Sequence, residues 1–263
     1  EEDKVVETLT TMPYDELYTA CKEVKVNYAP VFDGDYITTG TFDISADIPL
    51  IASNVLGEFS TNYSIVPYSA DKETFYADSN ITDEDAVQRA TEKFGEEYAP
   101  QIIEAFKSAY PNHPLRDVLY LGNRLNNSMI KIANAMLSYG GTVYNDVLAY
   151  DYPMYGGIVP IHTASSIPFW FNNAHLVPEF IAGDEVNAYK QAEVVSCALS
   201  AFAHTGNPST EEYEWLPYTE EGRECMVFDA YETGCRTNHD KELFELITAA
   251  NEANGGSSGN ASK

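Results

Sequence analysis

Two kinds of hydrophobic pattern alternate along the chain. Apolar residues recur at helical spacing in six stretches. This spacing predicts helices over residues 14–24, 83–94, 99–109, 114–139, between Asp184 and Gly206, and over 239–250. The short continuous apolar run at 48–52 predicts a strand, because strands buried on both faces are apolar throughout. Residues 142–150, which follow Gly140-Gly141, and residues 226–228 are also predicted to form strands. Strands separated by long helical stretches favour an α/β sheet over an all-β fold.

The chain is long enough to bury a sizeable core. With 263 residues, 44% of them hydrophobic, it fits one large domain or two small ones. Residues 1–253 hold the predicted helices and strands. Residues 254–263 are rich in Gly and Ser and are expected to form a flexible tail.

Charge excludes one class of function. Forty-one acidic residues against 15 basic ones give a formal charge of −26. Such a surface repels phosphate backbones and anionic lipid, so we expect no binding to nucleic acid. No run of 18 apolar residues is present, so no membrane span is expected, and the first residues are not those of a signal peptide.

A glutamate and a distant histidine give the chain its strongest functional signal. Glu58 ends one strand-like run, and His162 follows another. An acid followed by a histidine is the second half of the Ser…Asp/Glu…His order of α/β-hydrolases. The nucleophile of such a triad should lie upstream of both residues, and no convincing serine is found there.

One serine formally matches the nucleophile motif G-x-S-x-G. Ser257 occupies its centre in residues 255–259. A nucleophile elbow needs a strand before it and a helix after it. Residues 255–259 instead follow the last predicted helix and end the chain, so Ser257 is rejected as a nucleophile.

Six segments of the chain follow one another in an order known from one family. They are residues 30–35 (PVFDGD), 51–59, 143–150, His162 with 167–171, 201–208 and 215–218. Together they resemble the C-terminal half of the type-B carboxylesterase/lipase family, which includes the cholinesterases. The resemblance implies the C-terminal half of an α/β-hydrolase fold: a mostly parallel sheet flanked by helices and completed by a companion N-terminal chain.

The resemblance also implies catalytic roles. Glu58 matches the triad acid and His162 the triad base, while the nucleophilic serine and the oxyanion hole belong to the absent N-terminal half. In such a triad the histidine takes the proton of the nucleophile, and the carboxylate orients the imidazole. The family needs no cofactor or metal, and its substrates are small-molecule esters.

The chain departs from the family pattern near the proposed base. Four residues, 163–166, separate His162 from Ile167, one more than is usual, and none is acidic. Phe169 and Trp170 follow and are candidates for the substrate pocket, although such aromatic residues more often belong to the core. His204 stands where the family commonly has arginine.

Other histidines and the cysteines give weaker signals. His175 is the rival candidate for the base, and His113, beside a proline at a predicted helix start, is expected at the surface. No Cys/His spacing resembles a zinc site. Cys225 and Cys235 flank a short loop and could pair. The alternative is four free thiols, with Cys21 and Cys197 on apolar helix faces.

Two functions remain open from the sequence. The first is a serine esterase subunit that supplies Glu58 and His162 to a companion N-terminal chain. The second is an inactive, cholinesterase-like binding or adhesion module. Asn-X-Ser/Thr triplets at Asn62, Asn80 and Asn126 match glycosylation acceptors. An extracellular or secreted protein is expected, with a cytoplasmic location left open.

Overall fold

The structure is a computed structural model that describes residues 2–26, 33–35, 45–57, 81–121, 128–153 and 166–254. The chain divides into two compact units, Glu1–Thr41 and Phe42–Lys263. The first unit holds helices α1 (Glu2–Thr11) and α2 (Tyr14–Glu23). No residue of α2 is buried, so the predicted helix over 14–24 is confirmed as a helix with an open apolar face.

The second unit contains the sheet and the remaining helices. Its helices are α3 (Asp83–Phe94), α4 (Ala99–Ala109), α5 (Ser128–Ser138), α6 (Ile167–Trp170), α7 (Pro178–Ile181), α8 (Glu185–Thr205) and α9 (Lys241–Ala253). Two 3-10 helices span Leu115–Tyr120 and Ala174–Leu176. No helix of the described residues is long and apolar enough to cross a membrane.

Within the described residues, four strands form one sheet in the order β1-β2-β3-β4. They span Leu50–Val55, Val143–Leu148, Cys225–Phe228 and Gly234–Arg236. The first three run parallel to one another, and β4 returns antiparallel to β3. Every residue of β2 is buried, as expected for an internal strand covered on both faces.

Helices cover both faces of this sheet. Val147 and Val227 pack into a hydrophobic cluster with α3, α4 and α9 on one face. Leu148 and Phe228 pack into a second cluster with α6, α7 and α8 on the other face. Because neighbouring strand residues point to opposite faces, the adjacent apolar pairs at the ends of β2 and β3 supply both layers.

Local sequence signals set the ends of two long helices. Thr82 begins α3 with a capping box, in which its hydroxyl accepts a hydrogen bond from the Asp85 N–H, and the Asp85 carboxylate accepts one from the Thr82 N–H. Gly206 ends α8 in the left-handed conformation, with φ of 75°.

The long helix predicted over 114–139 is wrong. The chain instead forms the 3-10 helix Leu115–Tyr120 and, after residues 122–127, which lie outside the described part, the helix α5. Residues Val118, Leu119, Tyr120 and Leu121 are all buried. Four consecutive buried positions do not fit a helix with one apolar face, which the spacing of the larger side chains had suggested.

The four cysteines are free thiols, so of the two alternatives that the sequence left open for Cys225 and Cys235, the structure shows the unpaired one. In the register of β3 and β4, Cys225 lies opposite Arg236, and Cys235 lies opposite Met226. Side chains alternate between the faces of a sheet. The two thiols therefore lie on opposite faces, and each contacts a different hydrophobic cluster.

Candidate active site

Two neighbouring strands end side by side at the edge of the sheet where the predicted acid and base follow. β1 and β2 are parallel and in register, with Val55 opposite Leu148. Ligand and catalytic residues of open α/β sheets lie beyond the carboxyl ends of such strands. Glu58 and His162 themselves lie outside the described residues, so their side chains are placed only by the chain that leads to them.

The segment that leads to Glu58 is firmly held. Leu56 continues the ladder beyond β1, since its N–H donates to the carbonyl of Leu148 over 2.9 Å. Val55, Leu56 and Gly57 are all buried. The chain is therefore held beside the end of β2 as far as Gly57, the last described residue before Glu58.

The segment around His162 is held at both of its ends. On one side, Ala149 extends the pairing of β2 with β3, its N–H donating to the carbonyl of Phe228 over 2.8 Å. On the other side, the short helix α6 begins after Ser166. The ring of Tyr152, before the segment, lies 5.7 Å from the ring of Phe169, after it. The two ends of the loop that contains His162 are thus brought together.

Phe169 and Trp170, the predicted pocket residues, have different environments. Phe169 is fully buried, with its ring 5.0 Å from that of Tyr150. It is therefore part of the hydrophobic core, in the cluster that also contains Tyr152. Trp170 is half-buried and makes an edge contact with Phe228 at 6.1 Å.

Two buried tyrosines follow β2 and remain protonated. Burial, followed by the hydrogen bond to Asp184, raises the pKa of the Tyr150 phenol well above its usual range. Its hydroxyl donates to Oδ2 of Asp184 over 2.9 Å. Burial likewise raises the pKa of Tyr152. Both side chains therefore pack as neutral aromatic groups and do not act as bases.

The rival base is exposed. His175 lies at the surface of the 3-10 helix Ala174–Leu176. His204 is also exposed, in the last turn of α8, where its Nδ1 lies 2.8 Å from the carbonyl oxygen of Ser200. Neither lies in a strand-end loop of the kind that positions a catalytic group.

His113 is buried, so the expectation of a surface histidine is wrong. Its side chain is 0% exposed, and three carboxylates surround the imidazole. Nδ1 lies 3.2 Å from Oδ2 of both Asp117 and Asp151, and Nε2 lies 3.0 Å from Oδ2 of Asp229. We call these four residues the His113 cluster.

The His113 cluster is strongly polarised. Burial opposes a charge on His113, but the three carboxylates outweigh burial and raise the pKa of the imidazole to about 12. Burial and then the charge of Asp151 raise the pKa of the Asp117 carboxyl well above its usual range. Two signals could have revealed the cluster: the His113–Asp117 spacing of four, and an aspartate after each of β2 and β3.

Three features define the class of protein. Strands β1 to β3 are parallel, helices cover both faces of the sheet, and the chain continues from the strand ends to an acid and a histidine. The chain has the fold of the C-terminal half of an α/β-hydrolase domain.

Comparison with known proteins supports this assignment. An esterase from Clostridium hathewayi has a TM-score of 0.71 and 23% identity, over 93% of this chain and 48% of that protein. A carboxylesterase from Geobacillus stearothermophilus has a TM-score of 0.55 and 21% identity, over 93% of this chain and 49% of its own. At these identities the solved structures establish the fold. The chain spans about half of their length.

A curated protein is similar over a shorter range. The para-nitrobenzyl esterase of Bacillus subtilis is 35% identical over 68 residues, which are 26% of this chain and 14% of that enzyme. No protein-family model matches the chain. The resemblance to carboxylesterases that the six segments indicated is confirmed by these comparisons.

Proposed function

We propose that the chain supplies the acid and the base of a serine carboxylic-ester hydrolase. Glu58 orients the imidazole of His162, which takes the proton of a serine and returns it to the leaving alcohol. The observation behind the proposal is the parallel register of β1 and β2, since Val55 and Leu148 lie opposite each other just before the two segments that contain these residues.

The serine and the oxyanion hole are proposed to come from a companion N-terminal chain. Two observations support this. The chain spans about half of the esterases with the same fold. In the described part of the sheet, β1 pairs with β2 alone, which leaves its other edge for a further strand. A parallel strand ending there would place a nucleophile next to the acid and the base.

The proposed substrate is a small-molecule carboxylic ester. The proteins with a similar fold are esterases, and the one from Clostridium hathewayi hydrolyses aliphatic aromatic polyesters. The alternative, an inactive binding module, has no support from these relatives. A chromogenic short-chain aryl ester is therefore the first substrate to test.

Labelling with a fluorophosphonate probe tests the proposal. The protein is purified from its source with any companion chain, labelled, and analysed by intact mass spectrometry. We expect one serine of a companion chain to be labelled. Glu58→Gln and His162→Ala should lower ester hydrolysis by about 10⁴-fold or more, whereas the exposed His175→Ala should leave it unchanged. Labelling of Ser257, or full activity of His162→Ala, would overturn the proposal.

A further inference from the structure

The His113 cluster brings together side chains from three separate parts of the fold. His113 and Asp117 flank the start of the 3-10 helix Leu115–Tyr120, Asp151 follows β2, and Asp229 follows β3. We propose that His113, Asp117 and Asp151 bind one divalent first-row transition-metal ion such as Zn²⁺, and that Asp229 orients the imidazole. This proposal does not depend on the esterase function.

The spacing of the ligand atoms fits a metal ion. The ligand atoms that the three side chains offer lie within 4.8 Å of one another. Nδ1 of His113 is 3.2 Å from a carboxylate oxygen of both Asp117 and Asp151. Zinc bonds to nitrogen and oxygen are roughly 2.0–2.2 Å long, so two ligand atoms on a tetrahedral ion lie about 3.3 Å apart. A single N–H, by contrast, cannot point straight at two carboxylates.

Asp229 makes the imidazole a good ligand. Its Oδ2 lies 3.0 Å from Nε2 of His113, on the side of the ring away from the proposed ion. When the ion binds, it displaces the proton of Nδ1 to solvent. A carboxylate beside Nε2 keeps the remaining proton there and leaves the lone pair of Nδ1 for the metal. Asp229 is itself fixed, because its Oδ1 accepts a hydrogen bond from the N–H of Tyr231 over 3.0 Å.

Two carboxylate oxygens in the cluster lack a partner within the described part of the chain. The Asp117 side chain is 0% exposed, yet its Oδ1 accepts no hydrogen bond, and the same holds for the buried Oδ1 of Asp151. A buried acceptor without a partner is costly. A bound cation satisfies both oxygens directly or through its waters, and its double charge offsets the excess of carboxylates.

An ion could reach this site from one side. The ring of Tyr231 lies 5.7 Å from that of His113 in an edge contact and is 59% exposed. The Asp151 side chain is also 14% exposed, so within the described residues the cluster lies close to the surface at Tyr231 and Asp151. Once bound, the ion would join the helix layer to Asp151, from which the chain continues towards His162.

Metal titration of the purified protein, with any companion chain that accompanies it, tests the site. After treatment with a chelator, Zn²⁺ is titrated by calorimetry, and Co²⁺ is followed by its visible absorption. We expect one ion per chain, with at least 100-fold weaker binding in His113→Gln and Asp117→Asn and unchanged binding in the exposed control His204→Gln. Asp229→Asn should weaken binding 10- to 100-fold.

Comparing the affinities of different metal ions for the wild-type protein tests the site even if a variant fails to fold. Ca²⁺ and Mg²⁺ prefer oxygen ligands, so the wild-type site should bind both at least 100-fold more weakly than Zn²⁺. The proposal is overturned if Zn²⁺ does not bind at one ion per chain, if Ca²⁺ binds as tightly as Zn²⁺, or if folded His113→Gln binds Zn²⁺ like the wild type. The last result would mean that the ion binds to the acidic surface.

Discussion

The ring of Tyr152 contacts that of Phe169 at 5.7 Å and thereby joins the two ends of the segment that contains His162. Tyr152 follows β2, and Phe169 lies in the short helix α6. The contact belongs to the hydrophobic cluster that covers one face of the sheet. If His162 is the base, as proposed, changes at this contact should affect stability and activity together.

Phe169→Ala should destabilise the protein by about 3–5 kcal/mol, because it removes a fully buried ring and leaves a cavity between Tyr150 and Tyr152. Denaturant unfolding measures the loss. Phe171→Ala is the matched control, since Phe171 is 65% exposed in the next turn, and its effect should stay within about 0.5 kcal/mol. Equal effects would show that Phe169 is not part of the core.

Tyr150→Phe should lower the free energy of unfolding by about 1–3 kcal/mol, because Asp184 loses the phenol that donates to its carboxylate. Asp184 is the residue that precedes α8, and Asn187 also donates to it. The exposed Tyr189→Phe, on the same helix, should have no measurable effect. Thermal unfolding measures the stability of both variants. An equal loss of stability in the two would contradict a stabilising role for the Tyr150 hydroxyl.

Gly206→Ala should destabilise the protein by about 1–2 kcal/mol, because an L-residue is strained at a φ of 75°. The added Cβ would also lie 3.2 Å from Cγ of Pro49. For comparison, Gly234→Ala meets no atom within 4 Å. Its unfolding midpoint in urea should match that of the wild type, and a similar loss in both variants would refute the strain argument.

The capping box of α3 should make part of the stability depend on pH. Hydrogen bonds from the backbone and hydroxyl of Thr82 lower the pKa of Asp85. A carboxyl with a lowered folded-state pKa stabilises the protein above its unfolded pKa, near 3.8, and this contribution is lost as pH falls through the folded value.

Thr82→Ala should therefore reduce stability more at pH 7 than at pH 3, as measured by urea unfolding at both values. Thr91→Ala removes a hydroxyl from the same helix that donates only to the Val87 carbonyl. Its effect should be the same at both pH values. A pH-independent loss in Thr82→Ala would show that the carboxylate of Asp85 does not contribute to the cap.

The sequence predicted most elements of the sheet and its covering helices, because periodicity and end signals agreed. The helix between Asp184 and Gly206 is an example. Large apolar side chains alone do not identify its buried face, since Val186 is 82% exposed while Ala188 is fully buried. Small residues such as alanine allow a helix to pack closely on a sheet. A prediction from the spacing of hydrophobic residues gives most weight to large side chains and therefore misses this kind of contact.

The His113 cluster could not be predicted in the same way. His113 and Asp117 are four residues apart, but Asp151 and Asp229 are distant from them in sequence, and each aspartate is one among 41 acidic residues. Only the parallel order of β2 and β3 brings Asp151 and Asp229 to the same edge of the sheet. Aspartates of this kind are usually exposed, and their burial together in this fold cannot be predicted from the residues next to each of them.

The antiparallel strand β4 makes the two edges of the described sheet different. β4 pairs with β3 at one side, while β1 forms the other side of the described sheet. If a companion chain adds a strand, it joins at β1, next to the segment that leads to Glu58. The acid and the base would then be prepared within one polypeptide before the partner arrives. Ester hydrolysis would then begin as soon as the two chains bind each other. After mixing, the delay before hydrolysis begins should shorten as the chain concentrations rise, because the delay would depend on association and not on a slow rearrangement of this chain.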